Sequence, residues 1–327
     1  MMQDPHAKGA RDGDAPLVIT VTPNPSVDLL FEAERLVWDD ANRLPQPRRR
    51  VGGQGLNVAR AVQALGGRAL PIALLGGAAG EELSALLEAE GQPVRAVPIA
   101  GETRVFVATR ERATGRSLLL NPRGPSCTAA DGERLLAVVC EALEDSGARW
   151  VACCGSVPPG IPADLYARIA REAGARGVRV VVDADGELLR AAAGACDLLV
   201  PNEHEAARLA GMAASSVADA ARAARQLRRG RTDVACVTLG ERGAVLAAAE
   251  GSWHAAAPAA STGSAVGAGD AFLGALLLAL AADCPRPEAL RRAVAAGAAA
   301  LQSKGGDLLA VEEYRRLCNE LEVREIG

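Results

Sequence analysis

Lysine is nearly absent from this sequence of 327 residues, in which Lys8 and Lys304 are the only two. Arginine therefore carries the positive charge, and the formal net charge is −4. Apart from the arginines at 48–50, the sequence has no basic run, which argues against a nucleic-acid surface. This composition leaves room for a small anionic substrate that is bound by a few placed arginines.

Patterned cysteine, clustered histidine and long apolar runs are also missing. The eight cysteines contain no C-x-x-C pair, and the three histidines are far apart, so neither a disulfide framework nor a histidine metal site is predicted. The first ~15 residues are polar, and no apolar run reaches membrane length. We expect a cytoplasmic protein without membrane contact, in which residues 1–15 form a disordered tail.

From Leu17 onward, short apolar runs alternate with amphipathic or alanine-rich stretches. This alternation is typical of an α/β fold with a doubly wound, mostly parallel sheet that has helices on both faces. Residues 16–327 are therefore predicted to form a single domain. Strands are predicted at Leu17–Thr22, Ala69–Leu75, Trp150–Cys154, Val178–Asp183, Leu198–Val200 and Asp233–Thr238. Helices are predicted at Leu56–Leu65, Glu81–Glu90, Ala129–Leu143, Pro162–Ala173, Val217–Arg228 and Ala271–Ala281.

Two regions interrupt the alternation, at about residues 29–50 and 103–120. Their runs are shorter and alternate between polar and apolar residues, as expected of exposed antiparallel strands outside the main sheet. We expect these regions to form a small β-sheet lid.

A glycine-rich turn precedes the predicted helix at Ala271. Gly267 and Gly269 flank Ala268 there, and Asp270 follows directly. Backbone N–H groups at such a helix start can bind an anion. Asp270 could be an ordinary helix cap, or it could accept the proton of an attacking hydroxyl while the turn stabilises a transferred phosphoryl group. The motif alone leaves both interpretations open.

Other glycine motifs fit less well. Gly53 and Gly55 are not followed by the third glycine of a dinucleotide fingerprint, and no Gly-Lys-Ser/Thr of a P-loop is present. Gly155-Ser156 lacks the second glycine of a nucleophile elbow, which argues against a serine hydrolase.

The Gly-Ala-Gly-Asp turn resembles the second signature of the ribokinase-like carbohydrate kinases, also called the phosphofructokinase-B family. Further motifs occur in that family's order and spacing between Val18 and Gly306. They are Asn-Pro-x-x-Asp at 24–28, the first signature at 52–60, Gly-Ser-x-Pro-Pro-Gly at 155–160, Asn-x-x-Glu at 202–205 and a nucleotide-binding turn at 238–243.

The resemblance implies a ribokinase-like fold and an enzyme that uses ATP and Mg²⁺. It implies that Asp270 is the base and that residues 267–269 stabilise the phosphoryl group. The implied sugar site comprises Asp28, Gly53, Gln54, Asn57, Arg43, Arg104 and Ser156. The implied nucleotide site comprises Asn202, Thr238, Gly240, Gly243 and Gly297. Glu205 would organise magnesium through water, and a homodimer would form through the lid.

Within the family, three segments resemble the branch of 1-phosphofructokinases and tagatose-6-phosphate kinases. They are Asn42-Arg43, Gly-Glu-Thr-Arg at 101–104 and Asp-x-x-Gly-Glu at 183–187. By this resemblance Arg104, with Arg43 as helper, approaches the phosphate of the substrate; the alternative is that both are solvated lid charges. The expected reaction converts fructose 1-phosphate to fructose 1,6-bisphosphate, with tagatose 6-phosphate or fructose 6-phosphate as close alternatives.

Four positions depart from this branch. Gln54 and Val200 stand where lysine is usual, Phe106 replaces asparagine and Ala265 replaces threonine. The lost lysines reduce the positive charge expected near phosphates. Two alternatives therefore stay open: a kinase for an unphosphorylated sugar, or a catalytically silent sensor of nucleotide or sugar. Retention of Asp270 and Glu205 argues against the sensor.

Overall fold

The computed structural model describes residues 17–258, 267–303 and 308–327; the predicted tail at 1–15 and Ala265 lie outside these ranges. The strands are β1 Leu17–Thr22, β2 Ser26–Ala33, β3 Arg48–Gly52, β4 Arg68–Leu75, β5 Arg95–Pro98, β6 Arg104–Glu111, β7 Ser117–Leu120, β8 Trp150–Cys154, β9 Arg179–Asp183, β10 Leu198–Leu199, β11 Val234–Thr238, β12 Ala244–Ala248, β13 Gly251–Ala255 and β14 Val323–Glu325. The helices are α1 Gln54–Ala64, α2 Gly77–Ala89, α3 Ala129–Asp145, α4 Leu165–Ala175, α5 Gly186–Ala192, α6 Glu203–Ala210, α7 Val217–Leu227, α8 Ala268–Ala281, α9 Arg286–Leu301 and α10 Val311–Glu320.

The main sheet has ten strands in the order β14-β13-β12-β11-β10-β9-β8-β1-β4-β5. The strands from β11 to β5 in this order run parallel, and β12, β13 and β14 add an antiparallel edge. Every residue of β1 and β8 is buried, because helices cover both faces of the sheet. The predicted doubly wound α/β architecture is confirmed.

The two faces of the main sheet are covered by different helices. Helices α3, α4, α5 and α7 pack on one face through side chains such as Leu135, Ile169 and Leu227. Helices α1, α8 and α9 pack on the other through side chains such as Val62 and Leu276. The starts of α1 and α8 are thereby fixed on the same side of the sheet.

A second sheet of four strands, in the order β3-β2-β6-β7, is the lid. Val27 and Val51 of the lid pack with Leu56 of α1 and Leu83 of α2, which attaches it beside the main sheet. The prediction of an antiparallel lid is wrong at its centre, because β2 and β6 pair in parallel over eight residues. A long connection through α1, β4, α2 and β5 separates the two strands and allows this direction.

The predicted bounds of β1 and β8 are confirmed to the residue, and the other predicted main-sheet strands lie within one or two residues of the observed ones. The sequence prediction missed the short helices α5 and α6 and the last two helices, α9 and α10. Within the described ranges, no helix is long and apolar enough to cross a membrane.

Candidate active site

A cleft of about 550 Å³ lies between the lid and the carboxyl ends of the central strands. Thr22, Cys154 and Asp183 line it from the ends of β1, β8 and β9, where open α/β sheets generally bind ligands. The start of α8 closes the cleft on one side, and Asp28 and Phe106 of the lid face it from another.

The double glycine between the lid and α1 is required by close packing. A side chain at Gly52 would place its Cβ 1.9 Å from Oδ1 of Asp28, and Gly53 has a φ of +118° that other residues rarely adopt. Ser26 donates to Asp28 Oδ1 over 2.6 Å, and burial raises the pKa of Asp28 despite this bond and the nearby arginines. The glycines thus hold a buried carboxylate at the wall of the cleft, where it can accept hydrogen bonds.

Asp270 lies in the first turn of α8 and is only 6% exposed. Its Oδ2 accepts a hydrogen bond of 2.8 Å from Nδ2 of Asn57 on α1. Burial raises the pKa of Asp270 to about 6, although the Asn57 bond opposes the rise. A carboxylate with a pKa in this range is suited to accept a proton near neutral pH.

The turn before Asp270 leaves its backbone open. Gly267 caps α8 with a φ of +88°, and a Cβ at Gly269 would meet no atom of the described ranges within 4 Å. Gly267, Gly269 and Asp270 all line the cleft, and Ala268 lies between the two glycines. The N–H groups of this helix start therefore face a space where an anion fits.

Three further carboxylates line the cleft, those of Asp183, Asp185 and Glu205. Burial, followed by the charges of Asp270 and Glu205, raises the pKa of Asp183 to about 8. Burial also raises the pKa of Glu205, whose Oε2 accepts the N–H of Asn202 over 2.8 Å at the start of α6. Carboxylate oxygens suit a hard divalent cation, and the charge of such an ion would favour the ionised form of these groups. In the described ranges no group of three or more metal-ligating side chains exists, so such an ion would need water or phosphate ligands as well.

Arg104 reaches the cleft from the start of β6, but protein atoms occupy much of its guanidinium. Nε and Nη2 donate to the carbonyl of Asn24 over 3.2 and 2.9 Å, and Nη1 donates to the carbonyl of Pro122 and to Asn121. Asn24 in turn donates to the hydroxyl of Ser156 over 3.0 Å. Arg104 therefore holds the loop after β1 in place through these hydrogen bonds. It also provides a positive charge at the wall of the cleft.

Two of the predicted sugar-site residues, Gln54 and Arg43, differ in their placement. Gln54 lines the cleft at the start of α1, and a Cβ at Gly155 would lie 2.8 Å from its Oε1. Arg43 is exposed in the segment between β2 and β3 and is not among the residues that line the cleft. Within one chain the fold does not bring Arg43 to the other predicted sugar-site residues.

Four of the predicted nucleotide-binding residues lie together next to Glu205. Asn202 forms a β-bridge with Thr238, and the turn that follows contains Gly240 at φ +58° and Gly243 at φ +84°. A Cβ at Gly243 would lie 1.9 Å from the carbonyl oxygen of Ala255, so this turn requires glycine.

Gly297, the fifth predicted nucleotide-binding residue, lies in α9. Its backbone packs on the start of α8, where a Cβ would lie 3.3 Å from the carbonyl oxygen of Ala268. Close packing of two helices accounts for glycine at this position.

The sequence prediction assigned no role to several residues that line the cleft: Thr22, Asn24, Asn121, Asp183 and Asp185. Asn24 and Asp183 belong to segments that the sequence singles out, and Asp183 ends a predicted strand. A polar residue at the carboxyl end of a buried parallel strand was the signal that could have identified Asp183.

Comparison with known proteins gives a consistent result. The model of the pfkB family carbohydrate kinases matches residues 22–312. The chain is 33% identical to ATP-dependent 6-phosphofructokinase isozyme 2 of Mycobacterium tuberculosis over 90% of this chain and 87% of that protein. It is 29% identical to 1-phosphofructokinase of Bacillus subtilis over 95% and 100% of the two chains.

Solved structures give the same picture. Phosphofructokinase-2 of Escherichia coli, determined in complex with fructose-6-phosphate and in a tetrameric inhibited form, superimposes with a TM-score of 0.86 at 30% identity. These superpositions cover 94% of this chain and 99% of the other.

Proposed function

Because the chain belongs to the pfkB family of carbohydrate kinases, we propose that it transfers the γ-phosphoryl group of ATP to a phosphorylated ketohexose and so forms fructose 1,6-bisphosphate. The observation that carries this proposal is the buried carboxylate of Asp270, held at an open helix start within one cleft that also contains Asp28. This arrangement supports a sugar hydroxyl on one side of Asp270 and a phosphoryl group on the other.

In the proposed reaction, Asp270 accepts the proton of the attacking sugar hydroxyl. The hydroxyl oxygen forms a bond to the γ-phosphorus, and the bond from that phosphorus to the bridging oxygen breaks, which releases ADP. The N–H groups at Gly267, Ala268 and Gly269 stabilise the charge on the transferred group, since they lie at the positive end of α8.

The proposed nucleotide site extends from this helix start toward Asn202, Thr238 and the turn at Gly240–Gly243. Mg²⁺ would neutralise charge on the phosphates of ATP, held by Glu205 through water. Support comes from the position of Glu205, which lines the cleft and lies three residues from Asn202.

We place the phosphate group of the sugar near Arg104. This arginine lines the same cleft as Asp28, and the charges of the two groups attract each other. The relatives from Mycobacterium tuberculosis and Bacillus subtilis are both phosphofructokinases. The first is named a 6-phosphofructokinase and the second a 1-phosphofructokinase. Fructose 1-phosphate and fructose 6-phosphate give the same bisphosphate, so both are candidate substrates.

The experiment that tests this function is an ADP-release assay with ATP, Mg²⁺ and a panel of sugars. The panel contains fructose 1-phosphate, fructose 6-phosphate, tagatose 6-phosphate, free fructose and ribose. We expect the highest kcat/KM on a fructose monophosphate, with fructose 1,6-bisphosphate as product. A higher kcat/KM on free sugars would identify a kinase for an unphosphorylated sugar, and ATP binding without turnover on any sugar would identify a sensor.

The Asp270→Asn variant tests the assigned base in the same assay. We expect kcat to fall by at least about a thousandfold, because base catalysis alone contributes about 10²–10⁴-fold and the orientation of the hydroxyl is lost with it. Binding of ATP, measured by calorimetry, should stay unchanged. Retention of more than about a tenth of the turnover would remove Asp270 from the role of base.

We also propose a homodimer through the lid. Leu30, Ala108 and Leu119 lie in register across β2, β6 and β7, on the lid face that carries Asp28 and Phe106 into the cleft. These three apolar residues extend the face of the lid beyond the cleft, and Leu119 is 52% exposed. A second lid would cover it.

A further inference from the structure

The amide of Asn57 lies between a carboxylate and a guanidinium. Its Nδ2 donates to Asp270 Oδ2 over 2.8 Å, and its Oδ1 accepts from Nη1 of Arg60 over 3.3 Å. An ionised carboxylate can only accept hydrogen bonds and a guanidinium can only donate them. These two neighbours therefore allow one orientation of the amide, with its N–H groups toward Asp270.

Arg60 is itself fixed on its opposite side. Its Nε and Nη2 donate to the two carboxylate oxygens of Glu90, over 2.5 and 3.0 Å. Glu90 follows the last turn of α2, whereas Arg60 lies one turn after Asn57 on α1. The Arg60 side chain is only 11% exposed, so this paired contact holds the guanidinium in a restricted space.

We infer that the Arg60–Glu90 ion pair positions the Asn57 amide, and through it the Asp270 carboxylate, for proton transfer in the proposed kinase reaction. This inference rests on the proposed function for the role of Asp270. Arg60 is a positioning residue, because its contacts are to Asn57 and Glu90.

The charges around Asp270 indicate what loss of this pair would do. Asp28 from the lid, Asp183 from β9 and the thiol of Cys154 from β8 face Asp270, and burial disfavours its ionised form. The Asn57 hydrogen bond and the Arg60 charge oppose these effects. Removing Arg60 frees the Asn57 amide to rotate and withdraws a positive charge, so both changes favour protonated Asp270.

Titration of Asp270 in the ligand-free protein tests whether the Arg60–Glu90 pair acts on this carboxylate. The carboxyl carbon of Asp270 is followed by NMR in the intact chain and is assigned by its loss in Asp270→Asn. We expect Arg60→Met to increase the proton affinity of Asp270 by about tenfold, which moves its pKa from about 6 to about 7. Glu90→Gln leaves Arg60 in place and should cause a smaller change in the same direction.

Arg49→Met is the matched control. Arg49 also pairs with a glutamate of α2, through two hydrogen bonds to Glu82, whereas the hydrogen bond to Asn57 comes from Arg60. The control variant should leave the titration of Asp270 unchanged. An unchanged Asp270 pKa in both Arg60→Met and Glu90→Gln would overturn the inference, as would an equal rise in Arg49→Met.

Kinetics then relate the pair to turnover. Arg60→Met should lower kcat/KM on the best sugar phosphate by about tenfold below pH 6 and by less than about threefold at pH 8.5, because only the protonated fraction of the base differs. In an Asn57→Ala background the same change should cost clearly less than in the parent protein, since the positioning effect acts through Asn57 and only the direct effect of the Arg60 charge on Asp270 remains. An equal loss at every pH would contradict the positioning role. The NMR titration needs no substrate, so a kinase assay that fails on all sugars would refute the proposed function and not this coupling.

Discussion

At the scale of single residues, Asp183 is the cleft carboxylate whose ionisation the fold opposes most clearly. Its pKa is raised from 3.8 to about 8, first by burial and then by Asp270 and Glu205. The folded chain therefore binds this proton more tightly than the unfolded chain does. Stability from this group is fully present below pH 3.8 and is lost as the pH rises through about 8.

The first prediction follows from this sign. Asp183→Asn should raise the melting temperature relative to the parent protein, by an increment that grows between about pH 5 and pH 8.5. Differential scanning calorimetry without Mg²⁺ and ATP measures it. Asp185→Asn is the control, because hydrogen bonding to Arg208 lowers the pKa of Asp185 and its removal should not stabilise the protein at high pH. Parallel melting curves of parent and Asp183→Asn at all pH values would contradict the expectation.

Gln54 is the cleft residue at which an added positive charge should act on the phosphate of the substrate. It lines the cleft at the start of α1, where the related branch usually has lysine. Gln54→Lys should lower KM for a fructose monophosphate by about tenfold or more, because a charged hydrogen bond contributes about 1.5–3 kcal/mol. Steady-state kinetics should show no gain on free fructose and none for Gln54→Met. A gain on both kinds of sugar would mean that the ammonium acts elsewhere than on the phosphate.

The role of a residue could be predicted from the sequence only where the residues that define this role are close together in the chain. Gly267, Gly269 and Asp270 form one turn, so their sequence is enough to suggest an anion-binding helix start. The role of Arg60 arises from Asn57, Glu90 and Asp270, which α1, α2 and α8 bring together. Asn57 and Asp270 are 213 residues apart, and no local pattern contains their contact.

At the scale of elements, the start of α6 has a structural role as a helix cap and a proposed functional role in binding magnesium. Asn202 and Glu205 form a capping box, in which the Asn202 side chain accepts N–H groups and Glu205 accepts the Asn202 N–H. Glu205 also lines the cleft, and burial raises the pKa of the group. The helix cap thus holds the carboxylate at the edge of the cleft.

Glu205→Gln should raise the Mg²⁺ concentration for half-maximal activity by about tenfold or more, as is typical when an outer-sphere partner of a metal is lost. The helix should persist, because glutamine still offers an oxygen to the Asn202 N–H. Titration of activity with Mg²⁺ measures the effect. Asp131→Asn is the matched control, since Asp131 closes a capping box with Thr128 at the start of α3 outside the cleft. An unchanged titration in Glu205→Gln would leave Glu205 as a helix cap alone.

Element prediction succeeded where burial on both faces produces a continuous apolar run, as in β1 and β8. It failed for β12 and α9, which are both rich in alanine, because alanine carries little information on whether a segment pairs in a sheet or packs as a helix. The eight-residue α6 is too short for its period to be recognised, although its cap is visible in the sequence.

At the scale of the whole molecule, the doubly wound sheet was predictable because alternation of strands and helices leaves few topologies. The parallel pair at the centre of the lid was not, because Ser26 and Arg104, the first registered pair of β2 and β6, are 78 residues apart in the sequence. Pairing between such distant strands depends on where the intervening main-sheet elements place their ends.

The proposed lid dimer is tested by substituting two neighbouring residues of β7, of which only one is expected to lie in the dimer interface. Leu119 and Leu120 are 52% and 54% exposed, and the strand pleat directs them to opposite faces of the lid. Leu119 shares its face with Leu30 and Ala108, whereas Leu120 is in register with Val107 on the other face. A glutamate at 119 would bury a charge between two lids, but a glutamate at 120 would remain solvated.

Sedimentation velocity should therefore show a dimer of the 33.5 kDa chain for the parent protein and for Leu120→Glu, and a monomer for Leu119→Glu. A single buried, unpaired carboxylate costs several kcal/mol, and a dimer interface contains two of them by symmetry. Circular dichroism should be the same for both variants, because each position is exposed in the single chain. A parent protein that sediments as a monomer, or a Leu119→Glu variant that remains dimeric, would exclude this face of the lid as the interface.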